Sequence, residues 1–396
     1  MLTAKMISDF VEKNRDEAIR CFQEIIQTPS ETGNEEAVSF MFERWMKDNG
    51  MEVKRYDAAP HRPNLISTWT GSQPGKRFVF NGHMDVFPPD PDDPGLYGPW
   101  SGKIVDGKLY GRGAADMKGG DCGALMAVIF LRRMGFDPKG SVTLNWVSDE
   151  ENGGEFGIQY LLKQGLIDGD VGLCMEPTDA DIIYRHAGIL RGYITYTAKA
   201  HHTSVQYPYG EHALQKALRA AVELQKINDR LKPNPTKVYP DPVFTISVFN
   251  SGKAPNVYPS EATFWFDRRL APGENHDEAL AEITGILDSL REKDPAYDYK
   301  ITVTSRRPFL DIPVDDPFLS IVAKSYNEIT GKDVKMRPAE GGSDAAWLQK
   351  VTGMVIPNFG GALRLADSGK PNEKFDIQTY LDFIKIYMMT VVNTLG

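Results

Sequence analysis

The stretch Phe78-Val79-Phe80-Asn81-Gly82-His83-Met84-Asp85-Val86 decides how the chain is read. An apolar run with the pattern of a buried strand ends at a glycine turn, and an imidazole and a carboxylate follow two residues apart. In extended chain, residues i and i+2 point the same way, so His83 and Asp85 can face one point. Open α/β sheets place their ligands just past the carboxyl ends of their strands. The pair alone is weak evidence, so the rest of the chain must supply further ligands.

With 396 residues the chain exceeds one ordinary core, and two domains are expected. Hydrophobic content of 41% and charged content of 25% are those of a soluble globular protein. The formal charge of −9 argues against nucleic acid or an anionic membrane surface as a partner. It leaves the substrate's charge open, because bound divalent metals would reverse the local sign. No stretch approaches the roughly 20 apolar residues of a membrane span. Asp9, Glu12, Lys13, Arg15 and Asp16 occupy the region where a signal peptide needs its apolar segment. Cys21, Cys122 and Cys174 are scattered in apolar surroundings and read as reduced thiols of a cytoplasmic protein. Any metal must therefore be held by histidine and carboxylate.

Residues 6–28 and 35–49 read as amphipathic helices, separated by a segment rich in helix-stop and N-cap residues. Short β-like runs follow at 51–56, 65–69 and 77–81, and then a loop over 87–99 rich in proline and aspartate. Residues 104–110 read as a two-residue Asp-Gly hairpin. It delivers Gly111-Arg112-Gly113-Ala114-Ala115-Asp116-Met117-Lys118-Gly119-Gly120 and a mostly apolar helix through Leu131. Neither the Walker pattern nor a dinucleotide fingerprint is present, so these glycines serve to bring backbone close to something at Asp116. A buried strand at 141–147 ends in Ser148-Asp149-Glu150-Glu151, and another at 171–175 ends in Glu176-Pro177-Thr178-Asp179. Four times, an apolar strand or hairpin gives way at once to acidic or imidazole groups. That recurrence describes one site at the carboxyl edge of a sheet.

From Arg191 the texture changes. An alternating strand at 193–198, a helix at 211–227, strands at 243–249 and 262–266, a helix at 277–290 and a strand at 299–305 form a split βαβ order. A loop over 232–242 lies inside it. Helices at 316–330, 343–350 and 376–394 and a strand at 353–357 then restore the α/β texture. The expected fold is α/β: a large domain with a central sheet flanked by helices, from residues 1–189 and 304–396, carrying an inserted α+β, ferredoxin-like domain over 190–303.

A pocket containing His83, Asp116, Glu151 and Glu176 offers one neutral nitrogen and three carboxylates. This set suits zinc, with cobalt or manganese as substitutes. Two ions would need a carboxylate to bridge them. Of the adjacent Glu150 and Glu151, one can bind metal while the other takes a proton from water. Asp85 can accept a hydrogen bond from the second ring nitrogen of His83 and fix its tautomer.

Gly82-His83-Met84-Asp85, Gly111-Arg112-Gly113 with Asp116-Met117-Lys118-Gly119, Asp149-Glu150-Glu151 and Glu176-Pro177-Thr178 appear in one order along nearly the whole chain. In this the chain resembles the acetylornithine deacetylase, succinyl-diaminopimelate desuccinylase and carboxypeptidase G family of co-catalytic zinc aminoacylases and metallopeptidases. The resemblance implies that Asp116 bridges two zinc ions, His83 and Glu176 hold the first, Glu151 holds the second, Glu150 is the general base and Asp85 orients His83. It further implies that His202, in Lys199-Ala200-His201-His202-Thr203-Ser204, stabilises the oxyanion, often across a homodimer formed through the inserted lid or dimerisation domain. Asn256 and Arg269 match the contacts to a substrate carboxylate, and Gly342 lies in a glycine-rich segment beside the substrate.

One departure stands out. The family supplies the second metal with a histidine shortly before a Pro-Asn-Glu motif, and here the motif is Pro371-Asn372-Glu373 while all seven histidines lie at or before His276. An ungapped match puts Gly369 in that place, and Asp367 is the nearest residue able to bind a metal. The expected function is metal-dependent hydrolysis of an amide bond in an N-acyl amino acid or dipeptide carrying a free carboxylate. The competing readings are a single-metal hydrolase, or a metal- or substrate-binding relative that lost turnover with its histidine.

Overall fold

The computed structural model describes residues 2–205, 212–233, 241–339, 341–363 and 367–396. Contacts divide the chain into two compact units: Met1–Arg185, Asp311–Arg337 and Ser343–Gly396 form the first, and His186–Leu310 with Pro338–Gly342 the second. The second unit is wider than the expected 190–303.

The first unit begins with α1 (Ala4–Lys13), α2 (Arg15–Ile26) and α3 (Glu36–Asp48). The single helix expected over 6–28 is thus two. Asn14 leaves helical geometry at φ −110°, and its side-chain amide donates to the Phe10 carbonyl at 2.8 Å, satisfying the helix end there. Strands β1 (Lys54–Ala59), β2 (Arg62–Thr70) and β3 (Gln73–His83) follow, then the hairpin β4 (Lys103–Val105) and β5 (Lys108–Tyr110). Asp106 and Gly107 turn that hairpin with φ of 49° and 72°, the left-handed pair a type I′ turn needs. Helix α4 (Lys118–Arg133) is buried from Lys118 to Leu131. After it come β6 (Lys139–Val147), α5 (Ile158–Lys163) and β7 (Val171–Cys174).

The central sheet has the order β1-β2-β6-β3-β7. β3 runs parallel to both β6 and β7, while β1 and β2 are antiparallel to their neighbours. Three adjacent strands therefore end on the same edge, and the residues after them converge. The run 353–357 is not a strand: Val355 and Asn358 make isolated bridges beside β7, because Pro357 between them has no N–H to continue a ladder.

The chain crosses between the two units within or beside β8 (Ile182–His186). The second unit contains β9 (Gly188–Thr197), β10 (His201–His202), α6 (Ala213–Gln225), α7 (Ile227–Arg230), β11 (Val243–Ser251), β12 (Val257–Tyr258), β13 (Glu261–Leu270), α8 (His276–Lys293) and β14 (Tyr299–Arg307). β9 begins at Gly188 and β14 runs to Arg307, which is why the unit extends beyond both expected limits. Lys226 ends α6, so the helix expected to reach 227 stops short and α7 starts anew. Residue 211 and most of the expected 232–242 loop lie outside the described residues. The sheet order β11-β13-β9-β14, antiparallel throughout, is that of a split βαβ sandwich. Alanines 213, 217 and 220 of α6 and Ile283 and Leu287 of α8 pack on Ile194, Phe244, Phe264 and Phe266 of the sheet.

The chain returns to the first unit through β15 (Leu310–Asp311), α9 (Pro317–Thr330), β16 (Met336–Ala339), α10 (Ala345–Thr352), β17 (Lys374–Asp376) and α11 (Ile377–Leu395). Among the described residues no helix is long and apolar enough to cross a membrane.

Gly82 shows how tightly α4 meets β3. A Cβ there would stand 1.7 Å from Asp121 Oδ1, and Asp121 is fully buried. Gly82→Ala is expected to destabilise the fold by about 1–3 kcal/mol. Asp121→Ala removes the atom the new methyl strikes, so the double variant should recover much of that loss in a urea-unfolding cycle.

Candidate metal centre

His83 ends β3 and is 1% exposed. Its Nδ1 donates to the main-chain carbonyl of Asp85 at 2.8 Å. A carbonyl only accepts, so Nδ1 carries a proton there and Nε2 is the ring nitrogen turned toward the carboxylates. Nε2 stands 3.3 Å from Asp116 Oδ1 and, though buried, makes no hydrogen bond.

Asp85 orients His83 through its backbone, and its carboxylate does something the sequence did not suggest. Oδ1 accepts the Glu150 amide at 3.1 Å, and Oδ2 accepts the Glu151 amide at 3.2 Å and the Thr32 hydroxyl at 2.9 Å. One buried carboxylate therefore links the end of β3 to the turn after β6. That turn is a short 3-10 helix, Glu150–Asn152, entered through Asp149 at φ 71°. Asp149 is held by an ion pair to Arg62, which also lies 3.1 Å from Glu35 Oε2, and its Oδ2 accepts the Phe156 amide at 3.0 Å.

Asp116 precedes α4, and its amide and that of Ala115 donate to Glu373 Oε1 at 3.0 and 2.9 Å. Glu373 Oε2 accepts from Arg112 at 2.9 Å. The Pro-Asn-Glu motif thus works as a backbone clamp on the Asp116 loop. Glu176 follows β7 directly.

Two groups of donor atoms result, each within 4.8 Å: His83 with Glu150 and Glu176, and His83 with Asp116 and Glu151. Burial alone would lower the His83 pKa, but Asp116, Asp85, Glu150 and Glu176 outweigh it and raise it well above the ordinary value. Burial, and then the charge of Asp116, push Glu151 well up as well. The pocket attracts positive charge strongly. His83 Nε2 and the buried, unbonded Glu151 Oε1 are the atoms a divalent ion would take up in place of the ring proton. The donor set fits.

The structure does not bring Asp367 into either group: its Oδ1 pairs with Lys374 Nζ at 2.6 Å. Its neighbour Ser368 donates instead to Asp116 Oδ2 at 2.6 Å. The remaining expected residues lie in the second unit. There the antiparallel pair β10 and β12 sets His202 Nε2 3.3 Å from Asn256 Nδ2, with Nδ1 2.7 Å from Ser204 Oγ. Arg269 Nε donates to Asp267 at 2.8 Å, and the Gly342 carbonyl accepts from Arg307 at 2.9 Å. Sequence reading gave no role to Thr32, Glu35, Arg62 or Ser368, since nothing in spacing marks a residue that acts through another's backbone.

Residues 79–393 match the family described as Peptidase family M20/M25/M40. The chain belongs to that family. A succinyl-diaminopimelate desuccinylase of Methylorubrum extorquens is 30% identical over 340 residues, covering 83% of this chain and 86% of the relative. A probable succinyl-diaminopimelate desuccinylase of Staphylococcus aureus is 29% identical over 316 residues, covering 74% and 76%. Human carnosine dipeptidase 1 superposes with a TM-score of 0.80 at 16% identity, over 100% of this chain and 99% of that one. A Saccharomyces cerevisiae dipeptidase gives 0.83 at 13% identity, over 99% and 98%. The chain is therefore an M20-type amide-bond hydrolase in a metal-dependent family.

Replacing Asp85 with Asn leaves one acceptor oxygen where two amides and a hydroxyl now bind. Asp85→Asn is expected to weaken metal binding by about 10–100-fold, as losses behind a ligand do; calorimetric titration of the stripped protein measures it. Burial raises Glu35 to about 7. The unfolded chain releases that proton near the usual carboxylate pKa and the folded chain holds it to about 7, so this group lowers stability as pH rises across that window. Glu35→Gln should flatten that part of the profile when urea midpoints are compared from pH 4.5 to pH 7.5.

Proposed function

We propose that the chain is a zinc-type hydrolase that removes the acyl group from an N-acyl amino acid or splits a dipeptide, with Glu150 as general base. The observation that carries this reading is the gathering of Asp116, Glu150, Glu151 and Glu176 around the buried Nε2 of His83 at the carboxyl edge of three parallel strands. His83, Asp116, Glu151 and Glu176 would hold zinc, with cobalt or manganese as substitutes. When bound, such an ion polarises the scissile carbonyl and lowers the pKa of water to about 7.

Glu150 takes the proton of the attacking water at its carboxylate and returns it to the leaving nitrogen. The Asp85 carboxylate sets where Glu150 stands by holding its amide. His202, paired with Asn256, serves the oxyanion, and Asn256 and Arg269 take the substrate's carboxylate, for which the fork of an arginine is suited. Gly342 belongs to the glycine-rich segment beside the substrate, where its missing side chain gives Arg307 its place. The inserted unit acts as lid and homodimer contact; β11 is an edge strand with Val243 and Val248 exposed, as a partner surface would have them. A reducing, cytoplasmic setting is supported by three free, buried cysteines.

The test is a panel of N-succinyl and N-acetyl amino acids and dipeptides, offered to stripped protein reloaded with zinc, cobalt or manganese. Glu150→Gln is expected to lose about 100- to 10,000-fold in kcat while retaining metal. No turnover of any panel member by the unmutated protein would favour a binding relative and sink the hydrolase reading.

A further inference from the structure

Accepting the metal-binding role of His83 and its neighbours, we propose that each chain holds a single tightly bound divalent ion, on the His83 side of the centre, and that the Ser368 hydroxyl occupies the place on Asp116 that a second ion would need. A carboxylate bridging two ions gives one oxygen to each. In Asp116, Oδ1 faces His83 Nε2 at 3.3 Å, whereas Oδ2 accepts the Ser368 hydroxyl at 2.6 Å.

Among the described residues no substitute ligand completes a second site. Asp367 is committed to Lys374 at 2.6 Å. Gly369 has φ +68°, and a Cβ built on it would meet nothing nearer than Phe87 at 3.5 Å, so the place is roomy but carries no donor. The neighbouring Arg364, Leu365 and Ala366 bring no ligating side chain. In the first unit the other histidine is His61, whose Nδ1 lies 2.8 Å from Glu36 on an exposed surface. A second ion would be left with Asp116 and Glu151, short of the three protein ligands a catalytic zinc takes. The first position keeps its imidazole.

The experiment counts ions on the full-length protein. Chelator-stripped chain is reloaded with zinc, desalted and assayed by elemental mass spectrometry, with calorimetry for affinities. One equivalent is expected, with any second bound more than about 100-fold more weakly, since even the loss of a ligand's outer partner costs 10–100-fold. His83→Ala should abolish the tight equivalent. Two equivalents within about tenfold of each other, or none held tightly, would overturn the proposal. Ser368→Ala removes that hydroxyl from Asp116 Oδ2 and is expected to raise affinity for the second ion by about tenfold; no change would remove Ser368 from the explanation. Gly369→His should create a second tight equivalent, and if the positive φ prevents folding, the unmutated chain and Ser368→Ala still decide. Because the readout is stoichiometry, a chain that binds one ion and hydrolyses nothing would end the proposed function while this inference stood.

Discussion

Negative charge in a dry place is the constraint on which the first unit is built. Asp85 is fully buried and Glu150 is 5% exposed, with Asp116 and Glu151 beside them and one imidazole among them. Carboxylates crowded this way repel one another and lose hydration, so they persist only where something positive answers them. The fold answers in two ways. Carboxylates that do not face the pocket are met by peptide N–H groups: Asp85 by the amides of Glu150 and Glu151, Glu373 by those of Ala115 and Asp116, Asp149 by that of Phe156. Those that do face it gather round the His83 imidazole, the one basic group within both clusters.

This division explains which parts of the centre could be read from the chain alone. The clustered groups announce themselves, because each follows closely on an apolar strand or a hairpin, where acid or imidazole stands out. That His83, Asp116, Glu151 and Glu176 come together was legible for that reason, and so was the α/β order with its split βαβ insertion. The supports were not. Thr32 lies in a stretch that reads as helix-stop chemistry, and it does separate two helices, yet its hydroxyl also braces Asp85. Arg62 begins an ordinary strand, and only the fold brings it to Asp149.

Element limits failed where one side chain overrode a periodic pattern. Asn14 capped what composition would run through, and Pro357 denied an apolar segment its ladder. Asp367 is the instructive miss. Chemistry made it the nearest candidate ligand, but proximity in sequence said nothing about Lys374, which takes its carboxylate.

The clamp of Glu373 on the Ala115 and Asp116 amides has a consequence for how the protein is made. The two ends of that contact are separated by 257 residues for Asp116. A ribosome delivers Asp116 long before Glu373, so during most of synthesis the aspartate loop lacks the anchor that aims it. The loop is aimed only as the last helix emerges, so the cluster of carboxylates round His83 takes its final form at the end of synthesis.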